Sequence, residues 1–158
     1  MTPTQHIDWP TNEHLKALIE IDEGKRQLCY DDATGRTISK LSSGGKVTVG
    51  VGRNLSDVGL SADEIRYLLT NDIERVCTDL DTRLKWWREQ PEHIQYVLIN
   101  MCFNLGIGGL VGFKNTLYMI KQGQYEEAAS NMKHSLWHTQ VGDRAVRLEA
   151  IVEGDGKW

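Results

Sequence analysis

The stretch Ile21-Asp22-Glu23-Gly24-Lys25-Arg26-Gln27-Leu28-Cys29-Tyr30-Asp31-Asp32, with its echo at Lys46-Val47-Thr48-Val49-Gly50-Val51-Gly52-Arg53, decides the fold. Upstream, Leu15, Leu18, Ile19 and Ile21 recur at helical spacing, with Glu13, Lys16 and Glu20 on the other side. That pattern predicts a helix from about Thr11 to Asp22. Gly24 is its stop, since glycine enters the left-handed conformation at a helix end without penalty. From Gln27 to Leu55 the pattern becomes short extended pieces: Leu28 and Tyr30, Thr37 and Ile38, then Val47, Val49 and Val51. Thr34-Gly35 and Ser42-Ser43-Gly44-Gly45 supply turns between them. Val47, Val49 and Val51 read as one apolar strand face. Thr48, flanked by Gly50 and Gly52, marks the other, where a ligand can approach the backbone. An ordinary hairpin with glycine-assisted twist gives the same pattern.

Working outward, residues 1–10 read as a loose arm closed by Trp9-Pro10. Downstream, Ser61-Ala62-Asp63-Glu64 is a capping box with Leu60 and Ile65 as its hydrophobic staple. It opens a long helix to about Leu84, with a break allowed near Asn71-Asp72. Pro91 opens another from about Glu92 to Leu105, apolar on more than one side and so expected at the centre of a bundle. Gly106, Gly108 and Gly109 end it. A turn at about 110–112 and helices at about Asn115–Gln122, Tyr125–His134 and Asp143–Val152 complete the chain, with a frayed end before Trp158. Trp86, Trp87 and Trp137 read as core or as groove walls.

The chain of 158 residues is long enough for a core without staples, and its hydrophobic 40% and charged 25% are those of a globular protein. A net charge of -4 argues against nucleic acid, which needs a basic face. It argues equally against capture by anionic membranes. Cys29, Cys77 and Cys102 are an odd number on apolar segments and read as free buried thiols of a reducing compartment. No Cys-x-x-Cys or paired-His spacing occurs, so no metal and no cofactor are expected. Met1 to Pro10 lack the basic start and apolar run of a signal peptide. The apolar runs read as too short to span a bilayer.

Cleaving a glycosidic bond requires one carboxyl to protonate the leaving oxygen and a second to supply a nucleophile or an activated water. Glu23 ends an apolar helix and is expected at the edge of the core, where desolvation favours a protonated carboxyl. Asp32, beside Asp31 in a turn, is expected to stay ionised. Thr48 could hold the attacking water. A salt-bridged helix-end Glu23 and a turn-forming Asp32 account for the same spacing.

The stretch resembles the phage-type lysozymes of glycoside hydrolase family 24. That family carries a Glu, eight residues, an Asp, then a Thr in a Thr-Ile-Gly-x-Gly strand. Glu23 and Asp32 keep the eight-residue gap, and Thr48-Val49-Gly50-Val51-Gly52 is similar to the strand. Asn100-Met101-Cys102-Phe103-Asn104-Leu105-Gly106 and Gly112-Phe113-Lys114-Asn115-Thr116-Leu117 resemble its central segment. Tyr125-Glu126-Glu127-Ala128-Ala129, Ser135-Leu136-Trp137 and Gln140 through Asp143-Arg144-Ala145 resemble its C-terminal helices. The resemblance implies one α+β, lysozyme-like domain over residues 1–158. It would have a small lobe, about 24–60, with a three-stranded antiparallel sheet. A long connecting helix would lead into a larger helical lobe, about 61–158, with helix 11–22 packed on it and substrate between the lobes. It implies hydrolysis of the β-1,4 bond between N-acetylmuramic acid and N-acetylglucosamine of peptidoglycan. Glu23 would be the acid, Asp32 and Thr48 would position the water, and Arg144 would support Glu23. Phe103, Thr116 and Asn131 match positions lining the cleft. A surface ion pair is the other reading of Arg144.

Three departures stand out. Fifteen residues separate Asp32 from Thr48 where the family has five, so roughly Arg36 to Gly45 form a longer hairpin or loop. Arg53 replaces the family's His, making an ion pair there permanently charged. Asn54 replaces an aliphatic residue. Two other functions compete. A lytic transglycosylase would act on the same polymer through Glu23 alone, and a non-catalytic relative would only bind the wall. The expected setting is a monomeric host-lysis protein without stable membrane insertion. It would be held in the host cytoplasm and reach the periplasmic wall after a separate protein permeabilises the membrane.

Overall fold

A computed structural model describes residues 6–154 and 156–158. The chain divides into two compact units, one of Lys16–Asn71 and one of residues up to Leu15 together with Asp72–Trp158. The α+β class holds, with helices dominating and a small antiparallel sheet.

Part of the expected loose arm, residues 1–5, lies outside the described residues. The rest is tethered: Trp9 is fully buried and its indole N–H donates to Gln95 Oε1 at 2.9 Å. Helix α1 runs Glu13–Glu23, not from Thr11, because Trp9–Thr11 forms a 3-10 turn and Asn12 Oδ1 accepts the Leu15 amide, capping the helix. Leu15 and Ile19 are buried, but Ile21 is 73% exposed and leaves the expected apolar stripe.

In the unit Lys16–Asn71 the sheet has two strands, β1 (Thr48–Val49) and β2 (Arg53–Asn54), antiparallel with Thr48 opposite Asn54. The expected third strand is a single bridge, Tyr30 with Thr37, flanked by Asp31 N–H to Arg36 O and Ile38 N–H to Cys29 O, each 2.9 Å. Strand pairing is that short because turns at 31–35 and 41–45 consume the intervening backbone. The valine face is not buried: Val49 is 54% exposed, and Val51, in the turn between the strands, is fully exposed. The capping box forms as read. Glu64 N–H donates to Ser61 Oγ at 3.1 Å, and Ser61 N–H to Glu64 Oε2 at 2.8 Å. It opens α2, Ala62–Arg83, which is continuous through Asn71-Asp72.

In the other unit, α3 (Glu92–Val111) has every residue from Ile94 to Cys102 buried, so it presents no polar face. Each fully buried Ile, Leu or Val contributes about 1.5–3 kcal/mol. Its length and composition would suffice to cross a bilayer, contrary to the expectation that every apolar run is too short, but its apolar side chains are spent on the core. The expected stop appears as a break at Gly106 (φ 72, ψ 163), a conformation only glycine adopts readily, after which helix resumes to Val111. Helices α4 (Lys114–Lys121), α5 (Tyr125–Lys133) and α7 (Asp143–Glu153) match expectation to within two residues at either end. Helix α6 (Leu136–Val141), capped by Ser135, is too short for periodicity to reveal. Helix α7 packs on α3 and α5, and α4 on α5. The C-terminus is anchored, not frayed: Gly156 N–H returns to Ala150 O, and Trp158 stacks on Tyr96 at 5.0 Å and lies 5.6 Å from Trp9. Asp155, within the expected frayed end, lies outside the described residues. Trp87 and Trp137 are buried, with Trp86 half-buried.

Candidate active site

Glu23, Asp32 and Thr48 all belong to the unit Lys16–Asn71. Glu23 is the last residue of α1, which ends with Gly24 at φ 77 and its amide on Glu20 O. The eight residues that follow are fastened at two points besides the Tyr30–Thr37 bridge and its flanking bonds. Gln27 O accepts the Leu60 amide at 2.8 Å. Arg26 donates to Gly35 O at 2.7 Å while lying 4.6 Å over the Tyr30 ring. Gly59 makes the first fastening possible. Its φ is +64, and a Cβ there would collide with Gln27 O. Glu23 itself is exposed, so the expected partial burial at the core edge is not found; the last turn of α1 faces outward, as Ile21 does.

The two adjacent aspartates separate by environment. Asp31 is spent on the turn: its Oδ1 accepts Ala33 N–H at 2.9 Å and its carbonyl accepts the amides of Thr34 and Gly35. Asp32 is exposed, and among the described residues its carboxylate accepts no hydrogen bond. Thr48 is exposed on β1 and donates weakly to Lys46 O at 3.3 Å, a bond easily exchanged for one to water.

The additional residues do not disturb that strand. Residues 36–45 fold back on themselves, with Leu41 N–H to Gly45 O and Gly44 N–H to Leu41 O, each 2.8 Å. The chain then rejoins the 53–57 segment: Val47 N–H donates to Ser56 Oγ at 2.9 Å, Leu55 N–H to Val47 O at 2.7 Å, and Lys46 pairs with Asp57 at 2.9 Å. Asp57 is held below the usual carboxylate range by Lys46 and then Asn54.

Arg53 fastens the β2 end to α2. It donates to both oxygens of Glu64 at 2.8 and 2.6 Å and to Gly59 O at 3.2 Å. The guanidinium, then the Ser61 amide, holds the Glu64 carboxyl down at about 2. One glutamate thus caps α2 and anchors the hairpin. The sequence showed the cap; the second role needs the fold. A groove of about 890 Å³ lies on the same unit, walled by the exposed Val49, Val51, Val58, Tyr67 and Leu68.

The remaining candidates lie in the other unit. Arg144 on α7 is buried and donates from Nε to Asn100 Oδ1 at 2.8 Å, while Asn100 Nδ2 donates to Tyr96 Oη at 3.2 Å. The arginine is thus buried and not on the surface. Asn100 was missed as a candidate because a lone Asn inside an apolar run carries no spacing signal. Thr116, buried on α4, donates to Asn131 Oδ1 of α5 at 2.8 Å. Phe103 is half-buried beside the Gly106 break. Among the described residues no group of three His, Cys, Asp or Glu side chains could hold a metal.

A model of the phage lysozyme family matches residues 22–152, a range that contains every candidate above, and the chain belongs to that family. Among individual relatives, it is 36% identical over 56 residues to probable T4-type lysozyme 1 of Dictyostelium discoideum, covering 35% of this chain and 33% of that one. It is 25% identical to the pre-baseplate central spike protein Gp5 of Enterobacteria phage T4, over 89% of this chain and 28% of that protein. It is 23% identical to probable T4-type lysozyme 2 of Dictyostelium discoideum, over 88% and 93% of the two chains. The chain thus spans about a third of the length of the first two curated relatives it matches.

Proposed function

We propose that the protein hydrolyses the β-1,4 bond between N-acetylmuramic acid and N-acetylglucosamine of bacterial peptidoglycan. Glu23 protonates the leaving glycosidic oxygen. Asp32 takes a proton from the water whose oxygen adds to the anomeric carbon, and Thr48 holds that water. Glu23 is exposed, so the desolvation that favours a protonated acid falls to the bound saccharide. Arg144, ordered by Asn100, serves as a supporting cation, and Phe103, Thr116 and Asn131 contribute to saccharide binding. The observation that carries the reading is the family match over residues 22–152, with Glu23, Asp32 and Thr48 inside it at the family's order.

Hydrolysis is favoured over a transglycosylase reaction because the Asp32 carboxylate is left open toward solvent beside a turn in which Asp31, and not Asp32, is engaged. A transglycosylase has no need of such a group. We place the protein in lysis of a bacterial host, as a monomer without stable membrane insertion. It waits in the cytoplasm and reaches the wall after a separate protein opens the membrane.

The test is clearing of permeabilised cells by wild type and Glu23→Gln, with mass spectrometry of the released sugars. Wild type should clear and Glu23→Gln should lose activity by orders of magnitude with its melting temperature kept. Equal clearing by both would sink the assignment, and products lighter by one water would make the enzyme a transglycosylase.

A further inference from the structure

Asp32 sits near the tip of a hairpin whose arms meet in one bridge, Tyr30 with Thr37, and the backbone bonds flanking it. Its carboxylate accepts no hydrogen bond among the described residues, so nothing on the side chain itself fixes its direction. The 31–35 turn takes its shape from Asp31, through the bonds to Ala33, Thr34 and Gly35. Where that turn lies against the segment leaving Glu23 depends in addition on one side chain, Arg26. Its Nη1 donates to Gly35 O at 2.7 Å, across nine positions of chain. Its guanidinium carbon lies 4.6 Å from the centre of the Tyr30 ring. A Cβ on Gly35 would come within 3.7 Å of Nη2, so the second arm of the fork also runs along the turn. Gly35 in turn donates its amide to Asp31 O at 2.7 Å. One planar group therefore grips the hairpin on both sides of Asp32, at Tyr30 before it and at Gly35 after it.

A guanidinium suits this grip. It is flat and always charged, and it can lay a face on a ring while its edge donates to a carbonyl. A hydrogen bond from an ionised donor is also stronger than one between neutral groups. With both Tyr30 and Gly35 held, the interval that carries Asp32 has little freedom to swing. We propose that Arg26 is a positioning residue for the hydrolysis. By clamping Tyr30 to Gly35 it keeps the Asp32 carboxylate facing the water that adds to the anomeric carbon. It acts through the turn and not on the saccharide. The proposal rests on the muramidase reading for the role of Asp32. A surface contact at Arg26 would affect stability alone, whereas a clamp sets the rate, because misplacing a catalytic group by about 1 Å costs about a hundredfold. The neighbouring Lys25 carries the same charge but turns to Glu20, at 3.9 Å, and serves as the control.

The experiment compares wild type, Arg26→Ala, Arg26→Lys, Lys25→Ala, Asp32→Asn and the double variant Arg26→Ala/Asp32→Asn, each first shown by thermal melting to be folded. kcat and KM are measured on soluble, uncrosslinked peptidoglycan chains. Arg26→Ala should lower kcat about a hundredfold with KM kept, and Lys25→Ala should match wild type. Arg26→Lys should recover part of the loss, because an ammonium reaches the ring or the carbonyl but cannot fork onto both. On the Asp32→Asn background, removing Arg26 should change nothing further, since the clamp acts through Asp32. A structural role alone would drop the double variant well below Asp32→Asn, and that result overturns the proposal. So does an undiminished kcat in Arg26→Ala, an equal loss in Lys25→Ala, or full recovery in Arg26→Lys. A second arm does not depend on activity: amide exchange at Thr34 and Gly35 is followed by NMR in wild type and Arg26→Ala. Exchange should be about tenfold faster without Arg26, the scale of one lost charge-assisted hydrogen bond, and unchanged exchange also overturns the clamp. If wild type cleaves no wall polymer, the muramidase reading fails, while the exchange arm still decides whether Arg26 holds the Asp32 turn.

Discussion

Replacing Gly59 by alanine tests the fastening that holds Glu23 and Asp32 in one frame. Gly59 is buried at φ +64, and a Cβ there would run into the Gln27 carbonyl and lie 2.9 Å from Leu28 Cδ2. Leucine can swing aside; a backbone carbonyl cannot. Alanine in the left-handed conformation costs about 1–2 kcal/mol. Displacing Gln27 loses the bond from Leu60 N–H, another 0.5–1.5 kcal/mol or so, and the local overpacking adds about 1–3 kcal/mol. The stiffer unfolded chain returns only about 0.4–1 kcal/mol. The net loss is about 4 kcal/mol, or about 8–16 °C in Tm for a chain of this size. Gly44 is the control. Its φ is +83 but an added Cβ would meet nothing within 4 Å, so Gly44→Ala should cost only about 1 kcal/mol. Urea denaturation followed by circular dichroism gives both values at constant m. Wall-clearing activity should fall with Gly59→Ala at temperatures where the protein is still folded, because Gln27 lies on the link between the two carboxylates. Equal midpoints for the two variants would refute the collision argument.

Three further outcomes follow from the same geometry. Asp32→Asn should be severely impaired in clearing with an unchanged melting temperature, whereas Asp31→Asn should mainly loosen the 31–35 turn. If Asp32→Asn clears like wild type and Asp31→Asn does not, the two roles are reversed. The depressed Glu64 carboxyl sets a pH dependence. Its folded value of about 2 lies below the ordinary 4.5, so its contribution is fully present above about pH 4.5 and is lost as pH falls toward 2. Stability measured from pH 5 to pH 2 should therefore decline less steeply in Glu64→Gln, and parallel profiles would contradict the Arg53 pairing. Burial pushes Cys77 up to about 12 and Cys102 to about 11, so both remain neutral thiols at pH 8. Iodoacetamide on the native protein should label Cys29 alone, with three labels appearing only after denaturation; two rapid native labels would show the core to be open.

Much of the fold was legible because its signals are local. The capping box at Ser61–Glu64 contains both hydrogen-bonding partners within four residues, so its geometry follows from the sequence. Apolar residues on more than one side of the segment from Ile94 to Cys102 favour burial, and Gln95 and Asn100 are carried into the core with them. Gly106 was read as a stop because glycine is the residue that tolerates the φ and ψ found there. The short helix Leu136–Val141 escaped because six residues hold fewer than two helical turns. The third strand shrank to one bridge because strand length depends on where two distant segments meet, which no run of alternating residues encodes.

By itself the sequence determined the order and spacing of Glu23, Asp32 and Thr48, the helices that begin at Ser61 and Pro91, and an interruption of helix at Gly106, though not that helix resumes beyond it. Each depends on residues near one another in the chain, where backbone preference and periodicity act directly. Only the tertiary structure decided that Asp31, not Asp32, is consumed by the turn, that Glu23 stands exposed, and that Glu64 serves both a helix cap and Arg53. It alone seated Arg144 on Asn100. Those outcomes depend on which groups meet across 11, 44 or more positions of chain, as for Arg53 with Glu64 and Arg144 with Asn100. Burial and hydrogen-bond competition at such meetings are properties of the packed molecule and not of any local stretch.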